Sequence, residues 1–165
     1  MFLCAQSNDG AHYSLSSEQV DYFREVLREN PDARWTNVFI HDPMWLYDWE
    51  TGWGKFEALL QGRPYSVFAG HIHLYAKMER HNQDYYILAT TGGSSSLGGA
   101  KVDGQFDHVM WVTMSDEGPI VLNITLEGML PGDVRHDRME AVREQLEVKR
   151  RFMESAAKRL GRWKK

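Results

Sequence analysis

Hydrophobic and polar residues follow two different periodicities along the first half of this chain. Short runs rich in β-branched and aromatic residues predict strands over residues 2–5, 36–41 and 65–69. Between the first two runs, apolar residues recur at helical spacing: Val20, Phe23, Val26 and Leu27. A second, shorter helix is predicted over residues 54–60. This succession of strands and helices indicates an α/β fold.

The first helix has recognisable ends in the sequence. Ser16 suits the N-cap position, and Gln19 follows three residues later, which is the spacing of a capping box. Asn30 and Pro31 predict the other end, because proline cannot donate a backbone hydrogen bond within a helix.

The pattern changes after residue 73. Strands are predicted in succession over residues 74–79, 84–90, 108–115 and 119–127. With no helical segment between them, these strands are typical of an antiparallel meander. A glycine- and serine-rich loop, residues 92–99, interrupts them. We interpret it as a flexible connection, with a loop over a functional site as the alternative. It lacks the Gly-Lys-Ser/Thr of a phosphate-binding Walker loop.

The last predicted element is an amphipathic helix over residues 134–163. Its apolar stripe has alternating spacings of three and four residues: Met139, Val142, Leu146, Met153, Ala156, Leu160 and Trp163, with Lys149 in the one gap. Residues 133–165 carry 11 Lys and Arg against 6 Asp and Glu, whereas residues 1–132 carry 8 against 17. Such a stripe packs on its own domain or pairs with a second copy. Contact with nucleic acid or an anionic membrane is the less favoured alternative.

Composition narrows the class of protein further. The chain has 165 residues, of which 42% are hydrophobic, and its mean hydropathy of −0.51 is typical of one soluble globular domain. It has no run of about 18 apolar residues that could span a membrane. The first residues lack the basic and apolar segments of a signal peptide. A single cysteine, Cys4, excludes an internal disulfide.

Histidines follow two of the predicted strands, where the backbone leaves the sheet. His41 ends the segment 36–41, and Gly70-His71-Ile72-His73 follows the segment 65–69. Neutral imidazole is a good ligand for zinc, manganese, iron and nickel, so the three histidines predict a transition-metal site. Gly70 is expected to let the backbone bend beside His71. Three of the other histidines, His12, His81 and His136, are interpreted as ordinary polar residues.

These histidine motifs resemble those of the second half of a calcineurin-like metallophosphoesterase. That family has a strand ending in His, often followed by x-Pro, and then Gly-His-x-His after the next strand. Here these are residues 38–43 and 70–73. The segment 15–19 with its helix, and the strands that follow Phe106-Asp107-His108, resemble the family as well. The resemblance implies part of a four-layer α/β/β/α sandwich over residues 1–132, with the basic helix, residues 133–165, outside the common core.

The resemblance also implies a chemistry. His41 and His71 would bind one metal and His73 a second, both of them divalent Mn, Fe, Zn or Ni. The pair of metals would hydrolyse a small phosphomonoester or phosphodiester by activating a water and neutralising charge on the phosphate oxygens. Asp42 and Asp107 are candidates to orient the histidine rings from outside the first ligand layer. Nucleic acid is not the expected partner.

Three earlier motifs of that family do not occur in this sequence: Asp-x-His, Gly-Asp-x-x-Asp and Gly-Asn-His. These supply the bridging aspartate, further ligands and the catalytic histidine, so we expect the catalytic groups upstream of residue 1 and no activity from the chain alone. Truncation, a split enzyme with a second chain, or a non-catalytic descendant would each explain their absence. We further expect the strands at 2–5, 36–41 and 65–69 to lack neighbours and to favour self-association.

Two alternatives remain open from the residues alone. The chain could be a non-catalytic binding or assembly module, with a residual single-metal or structural histidine site and a self-associating C-terminal helix. The aromatic residues Trp45, Tyr47, Trp49 and Trp53 could be packing residues between layers. They could instead form a wall beside the metals that stacks on a base or sugar of the substrate.

Overall fold

The fold is known from a computed structural model. It describes residues 1–7, 13–47, 50–93 and 101–135, together with 142–144, 147–148, 151 and 155. Across these residues the protein is a mixed α/β structure with one sheet of five strands and a second, antiparallel sheet of three strands. No helix among the described residues is long and apolar enough to cross a membrane.

The large sheet is mostly parallel. Its strands are β1 (Phe2–Ala5), β2 (Thr36–Ile40), β3 (Tyr65–Ala69), β4 (Ala76–Arg80) and β5 (Gln83–Ile87). Their order is β1-β2-β3-β5-β4, and only the β4–β5 pair is antiparallel. Strand β3 is buried along its whole length, as its run of apolar residues predicts for a strand covered on both faces.

Two helices, α1 (Ser17–Glu29) and α2 (Trp53–Leu59), belong to the larger of two apolar cores. The buried side chains of α1 lie at Val20, Phe23 and Leu27, which confirms the predicted helical stripe. The ring of Phe23 packs against Phe56 of α2 with ring centroids 4.9 Å apart. This core therefore joins both helices to one side of the large sheet.

The second sheet is a meander of β6 (Val109–Ser115), β7 (Gly118–Thr125) and β8 (Gly128–Pro131). A smaller apolar core joins it to the large sheet. That core contains Phe68, Tyr75, Tyr86, Phe106 and Val121. Strands from both sheets contribute to this core, so the two sheets pack face to face there.

The predicted antiparallel succession after residue 73 is wrong in one respect. β5 does not simply follow β4 in a separate meander, because it inserts beside β3 in parallel register and leaves β4 at the edge. The physical reason is burial: Tyr85, Tyr86 and Ile87 of β5 are all buried, whereas β4 alternates buried with more exposed residues. A strand that is apolar on both faces gains more from an interior position. Strand β8 is an addition to the predicted strands, of which residues 119–127 are the last.

The predicted C-terminal helix lies mostly outside the described residues. Residues 142–144, 147–148, 151 and 155 are helical, and Val142 is buried in the larger core. Arg143 donates hydrogen bonds to the backbone carbonyls of Leu46 and Trp45, at 3.1 and 3.3 Å. These contacts tie the first part of the segment to the domain, while the full length of the helix and its pairing with a second copy stay predictions.

The N-cap of α1 supports one prediction about stability. Ser16 accepts a hydrogen bond from the backbone N–H of Gln19, as expected. The second hydrogen bond of a capping box, from the Ser16 backbone N–H to the Gln19 side chain, is not formed. The Gln19 side chain instead exchanges two hydrogen bonds with the backbone of Gln6.

Because Ser16 caps the helix, Ser16→Ala should lower the free energy of unfolding by about 1 kcal/mol, measured by urea denaturation. The exposed Ser17→Ala variant is the control, and an equal loss in both would contradict the cap assignment.

Candidate metal site

The candidate site lies where β2 and β3 end. These strands are parallel neighbours, with Phe39 paired to Phe68, so their carboxyl ends meet at one edge of the sheet. His41 and Asp42 follow β2, and His71 follows β3 after Gly70. The N–H of Gly70 donates to the carbonyl of His41 at 3.0 Å, which joins the two strand ends directly.

Three side chains converge at this edge: His41, Asp42 and His71. One ligand atom from each lies within 4.8 Å of the other two. Nδ1 of His71 lies 3.2 Å from Oδ1 of Asp42, yet this Oδ1 has no hydrogen-bond partner among the described residues. Two ligands about 2.0–2.1 Å from one tetrahedral ion are about 3.3 Å apart. The His71–Asp42 spacing therefore suits two ligands of one cation.

Asp42 is the buried member of the group, with no exposed surface. The hydroxyl of Ser7 donates to its Oδ2, which leaves Oδ1 facing the two imidazoles. A buried carboxylate oxygen without a hydrogen bond is costly, and a cation bound between it and the imidazoles would lower that cost. The donor chemistry and this orphaned oxygen both fit a metal.

The backbone at the second strand end is strained. His71 and His73 have φ angles of 67° and 61°, in the left-handed region that residues other than glycine seldom adopt. The bend expected at Gly70 therefore falls on the two histidines. A Cβ at Gly70 would make only ordinary contact, 3.8 Å from Nδ1 of His41. Strained residues of this kind cluster at functional sites.

The structure brings together two of the three predicted metal ligands and adds one residue beside them. His41 and His71 come together as expected, with ring centroids 5.4 Å apart, whereas His73 is exposed and is not part of the converging group. Asp42 takes the third place, although the sequence interpretation gave it only an orienting role. Its position directly after the strand, between His41 and Pro43, is the signal that could have identified it. Asp107, the other orienting candidate, accepts a hydrogen bond from Thr90.

The aromatic residues near the site differ from those expected. Trp45 and Trp53 are buried in the larger core, so they are packing residues there, and Trp49 lies outside the described residues. Tyr13 contacts His71 edge-on, with ring centroids 5.3 Å apart, and stacks on Tyr47 at 6.2 Å. Burial, with the charge of Asp42, raises the pKa of Tyr47 above its usual range, so that phenol stays protonated at neutral pH.

The other histidines have separate surroundings. His81 lies 3.3 Å from the carboxylate of Glu57, and His108 is buried between the sheets. His12 and His136 lie outside the described residues. Comparisons of this chain with protein-family models, with curated proteins and with solved structures found no match.

Proposed function

We propose that His41, Asp42 and His71 bind one divalent transition metal, and that this metal serves the hydrolysis of a small phosphate ester. The observation that carries the metal site is the convergence of three donor atoms within 4.8 Å at two adjacent strand ends. The resemblance of the His-Asp-Pro and Gly-His-x-His segments to metallophosphoesterases supports the reaction.

The donor set suits the proposed metals. Two imidazoles and one carboxylate are typical ligands of zinc and of non-haem ferrous iron. A metal bound there would supply Lewis acidity toward a phosphate oxygen and a lowered pKa of bound water. Asp42 would offset part of the charge of the cation, and the hydroxyl of Ser7 fixes the second oxygen of that carboxylate by a hydrogen bond. Tyr13 packs against the ring of His71 and limits its rotation.

The two-metal form of the reaction needs more than these three residues. It calls for a bridging carboxylate, and we propose that this comes from the segment or chain that carries the Asp-x-His, Gly-Asp-x-x-Asp and Gly-Asn-His motifs. In that complete site His73 would serve the second metal. The two packed sheets with α1 and α2 would then form part of the four-layer sandwich.

A second candidate function is a non-catalytic module with one structural metal. The burial of Asp42 favours it, because a metal held by a fully buried carboxylate stabilises the fold whether or not it meets a substrate. The contacts of Val142 and Arg143 with the domain show that part of the C-terminal segment packs on its own chain.

Metal titration tests the site in the chain itself. We expect Co²⁺ to give the visible absorption bands of a low-symmetry site, with binding measured in parallel by calorimetry. His71→Asn removes the imidazole but tolerates the left-handed backbone, and it should weaken Co²⁺ binding about 100-fold or more. Asp42→Asn should weaken binding to a similar degree.

His73→Asn is the matched control, because it lies two residues away with a similar φ angle. It should leave the first Co²⁺ affinity unchanged. Equal losses in His71→Asn and His73→Asn would show that His73 binds the same ion as His71, and unchanged binding in Asp42→Asn would exclude Asp42 as a ligand. If the complete enzyme keeps its phosphoesterase activity after His71→Ala with His73→Ala, the catalytic proposal is wrong and the structural-metal alternative stands.

A further inference from the structure

The second sheet has an apolar outer face, on the side away from the large sheet. Met110 and Val121 pack in the smaller core between the sheets, so the residues that alternate with them along β6 and β7 point outward. Strand pairing joins these outward residues into one surface across β6, β7 and β8. Its exposed large apolar side chains are Val109, Trp111, Ile120, Ile124 and Met129. A contiguous exposed face of this kind is typical of an interaction site.

The turns at the two ends of this outer face are acidic. Residues 116–117 lie between β6 and β7, and Glu127 lies between β7 and β8. Residues 103–133 as a whole carry six Asp and Glu and no Lys or Arg. Arg34 and Lys101 pair with two of these six carboxylates, so the region stays acidic. The outer face therefore suits a partner that is apolar in the middle and basic around it.

The C-terminal segment of this same chain has that character. Residues 148–165 carry eight Lys and Arg against one Glu. The apolar stripe of the predicted helix continues there through Met153, Ala156, Leu160 and Trp163. A helix over residues 149–163 is about 22 Å long and about 10 Å wide. The outer face is about 23 Å long along β6 and about 14 Å wide across three strands. One such helix therefore covers it.

We propose that the outer face of the second sheet binds residues 149–163 of a second copy of this chain, and that two copies exchange these segments reciprocally. The segment of the same copy does not reach. Val142 is buried in the larger core, on the other side of the large sheet, roughly 25 Å from the outer face because stacked layers lie about 10 Å apart. Residues 142–144, 147–148 and 151 are helical. At about 1.5 Å for each residue, Met153 is only about 17 Å along the helix from Val142.

The size and charge of the outer face argue against direct pairing of two second sheets. Its area of about 320 Å² is well below the roughly 800 Å² that each partner of a stable complex buries. Because both ends are acidic, two such faces would also bring like charges together. Reciprocal exchange uses one face and one helical stripe from each copy, which doubles the buried area and places basic side chains near the acidic turns. This contact is independent of the metal site.

Mixing two complementary variants of the full chain tests the exchange. Analytical ultracentrifugation should show a wild-type dimer. Trp111→Lys puts a charge on the outer face and Leu160→Glu puts one in the stripe, so each variant alone should associate about tenfold or more weakly. An equimolar mixture should regain dimers, since the intact segment of the first variant binds the intact face of the second. Tyr22→Lys, on the exposed side of α1, is the control and should dimerise as wild type.

Every other occupant of the face gives a different result. A Leu160→Glu variant that stays dimeric would overturn the exchange in favour of contact between two sheets or strand edges. A Trp111→Lys variant that stays dimeric would overturn it in favour of pairing between two C-terminal helices or through β1. A monomeric wild type, or a mixture that regains no dimer, would exclude exchange between copies.

Salt tests the choice of the basic segment. The dissociation constant of the wild-type dimer should rise severalfold between about 0.05 and 0.5 M NaCl, because salt screens exposed charges. A constant that does not rise would overturn the charge complementarity between the acidic turns and residues 149–163.

Discussion

Replacing Glu57 with alanine should lower the free energy of unfolding by about 3–5 kcal/mol, the usual cost of removing one partner from a buried ion pair. Glu57 is only 5% exposed, and its carboxylate accepts hydrogen bonds from both Nε and Nη2 of Arg80, at 2.6 and 2.8 Å. The hydroxyl of Tyr85 donates at 2.6 Å and the indole of Trp53 at 3.2 Å. Its removal takes this acceptor away from four donor groups on three residues, Trp53 of α2, Arg80 of β4 and Tyr85 of β5.

Urea denaturation with matched controls measures this effect. Glu57→Gln keeps an acceptor for Tyr85 and Trp53 but loses the charge opposite Arg80, so its loss of stability should lie between those of wild type and Glu57→Ala. Glu79→Ala changes an exposed glutamate on β4 and should stay within about 0.5 kcal/mol of wild type. A Glu57→Ala variant as stable as Glu79→Ala would show that the network contributes nothing to stability.

The hydrogen bonds to Glu57 also predict that the free energy of unfolding decreases at acidic pH. Burial raises the pKa of Glu57, but the hydrogen bonds from Arg80 and Tyr85 outweigh it and hold the pKa below the usual range. Its stabilisation is therefore fully present above the unfolded-state pKa of about 4.3 and is lost as the pH falls below it.

Protonation of His108 affects the free energy of unfolding in a different pH range. Its lowered pKa, about 4, makes the unfolded state bind the proton first, so stability also declines from about pH 6.5 downward. Glu57→Gln should remove the part of the loss that Glu57 causes below about pH 4.3 and leave the decline that His108 causes between about pH 6.5 and pH 4. Stability measured from pH 7 to pH 3 in wild type and in this variant separates the two groups. An unchanged acid limb in Glu57→Gln would exclude Glu57 as its source.

The isolated chain should self-associate and show 1-anilinonaphthalene-8-sulfonate binding. Two apolar surfaces are open among the described residues. One is the edge of the large sheet, where Phe2 of β1 is 72% exposed and stacks on Phe39. The other is the face of β6 and β7 away from the core, where Trp111 is 59% exposed beside the exposed Ile120 and Ile124. Open edges and patches of this kind drive association.

Light scattering after size-exclusion chromatography measures this association. Phe2→Lys should raise the monomer fraction if the strand edge dominates, and Trp111→Lys if the face of the second sheet dominates. Tyr22→Lys, on the exposed side of α1, is the control and should have little effect. A sharp cooperative melt of a soluble wild-type monomer would contradict the expectation for both surfaces.

The strands and helices were largely predictable because their signals are local. The predicted strand over 65–69 coincides with Tyr65–Ala69, and the Ser16 cap and the stop at Asn30 bound α1 as expected. Pairing was less predictable. Strand β5 pairs antiparallel with β4, as expected, but it also pairs in parallel with β3, and this second pairing depends on burial of both faces of the strand. The four-layer sandwich and the metallophosphoesterase relationship stay predictions.

The candidate site shows the same division. The sequence by itself determined that histidines stand at two strand ends, because each follows a run of apolar, β-forming residues. Only the tertiary structure decided which side chains meet. Parallel pairing of β2 and β3 brings His41 to His71. His73, in a left-handed conformation, is exposed, and the buried Asp42, which accepts a hydrogen bond from Ser7, lies beside both of the other histidines. These depend on distances between residues 30 positions apart, and no local pattern of residue types encodes them.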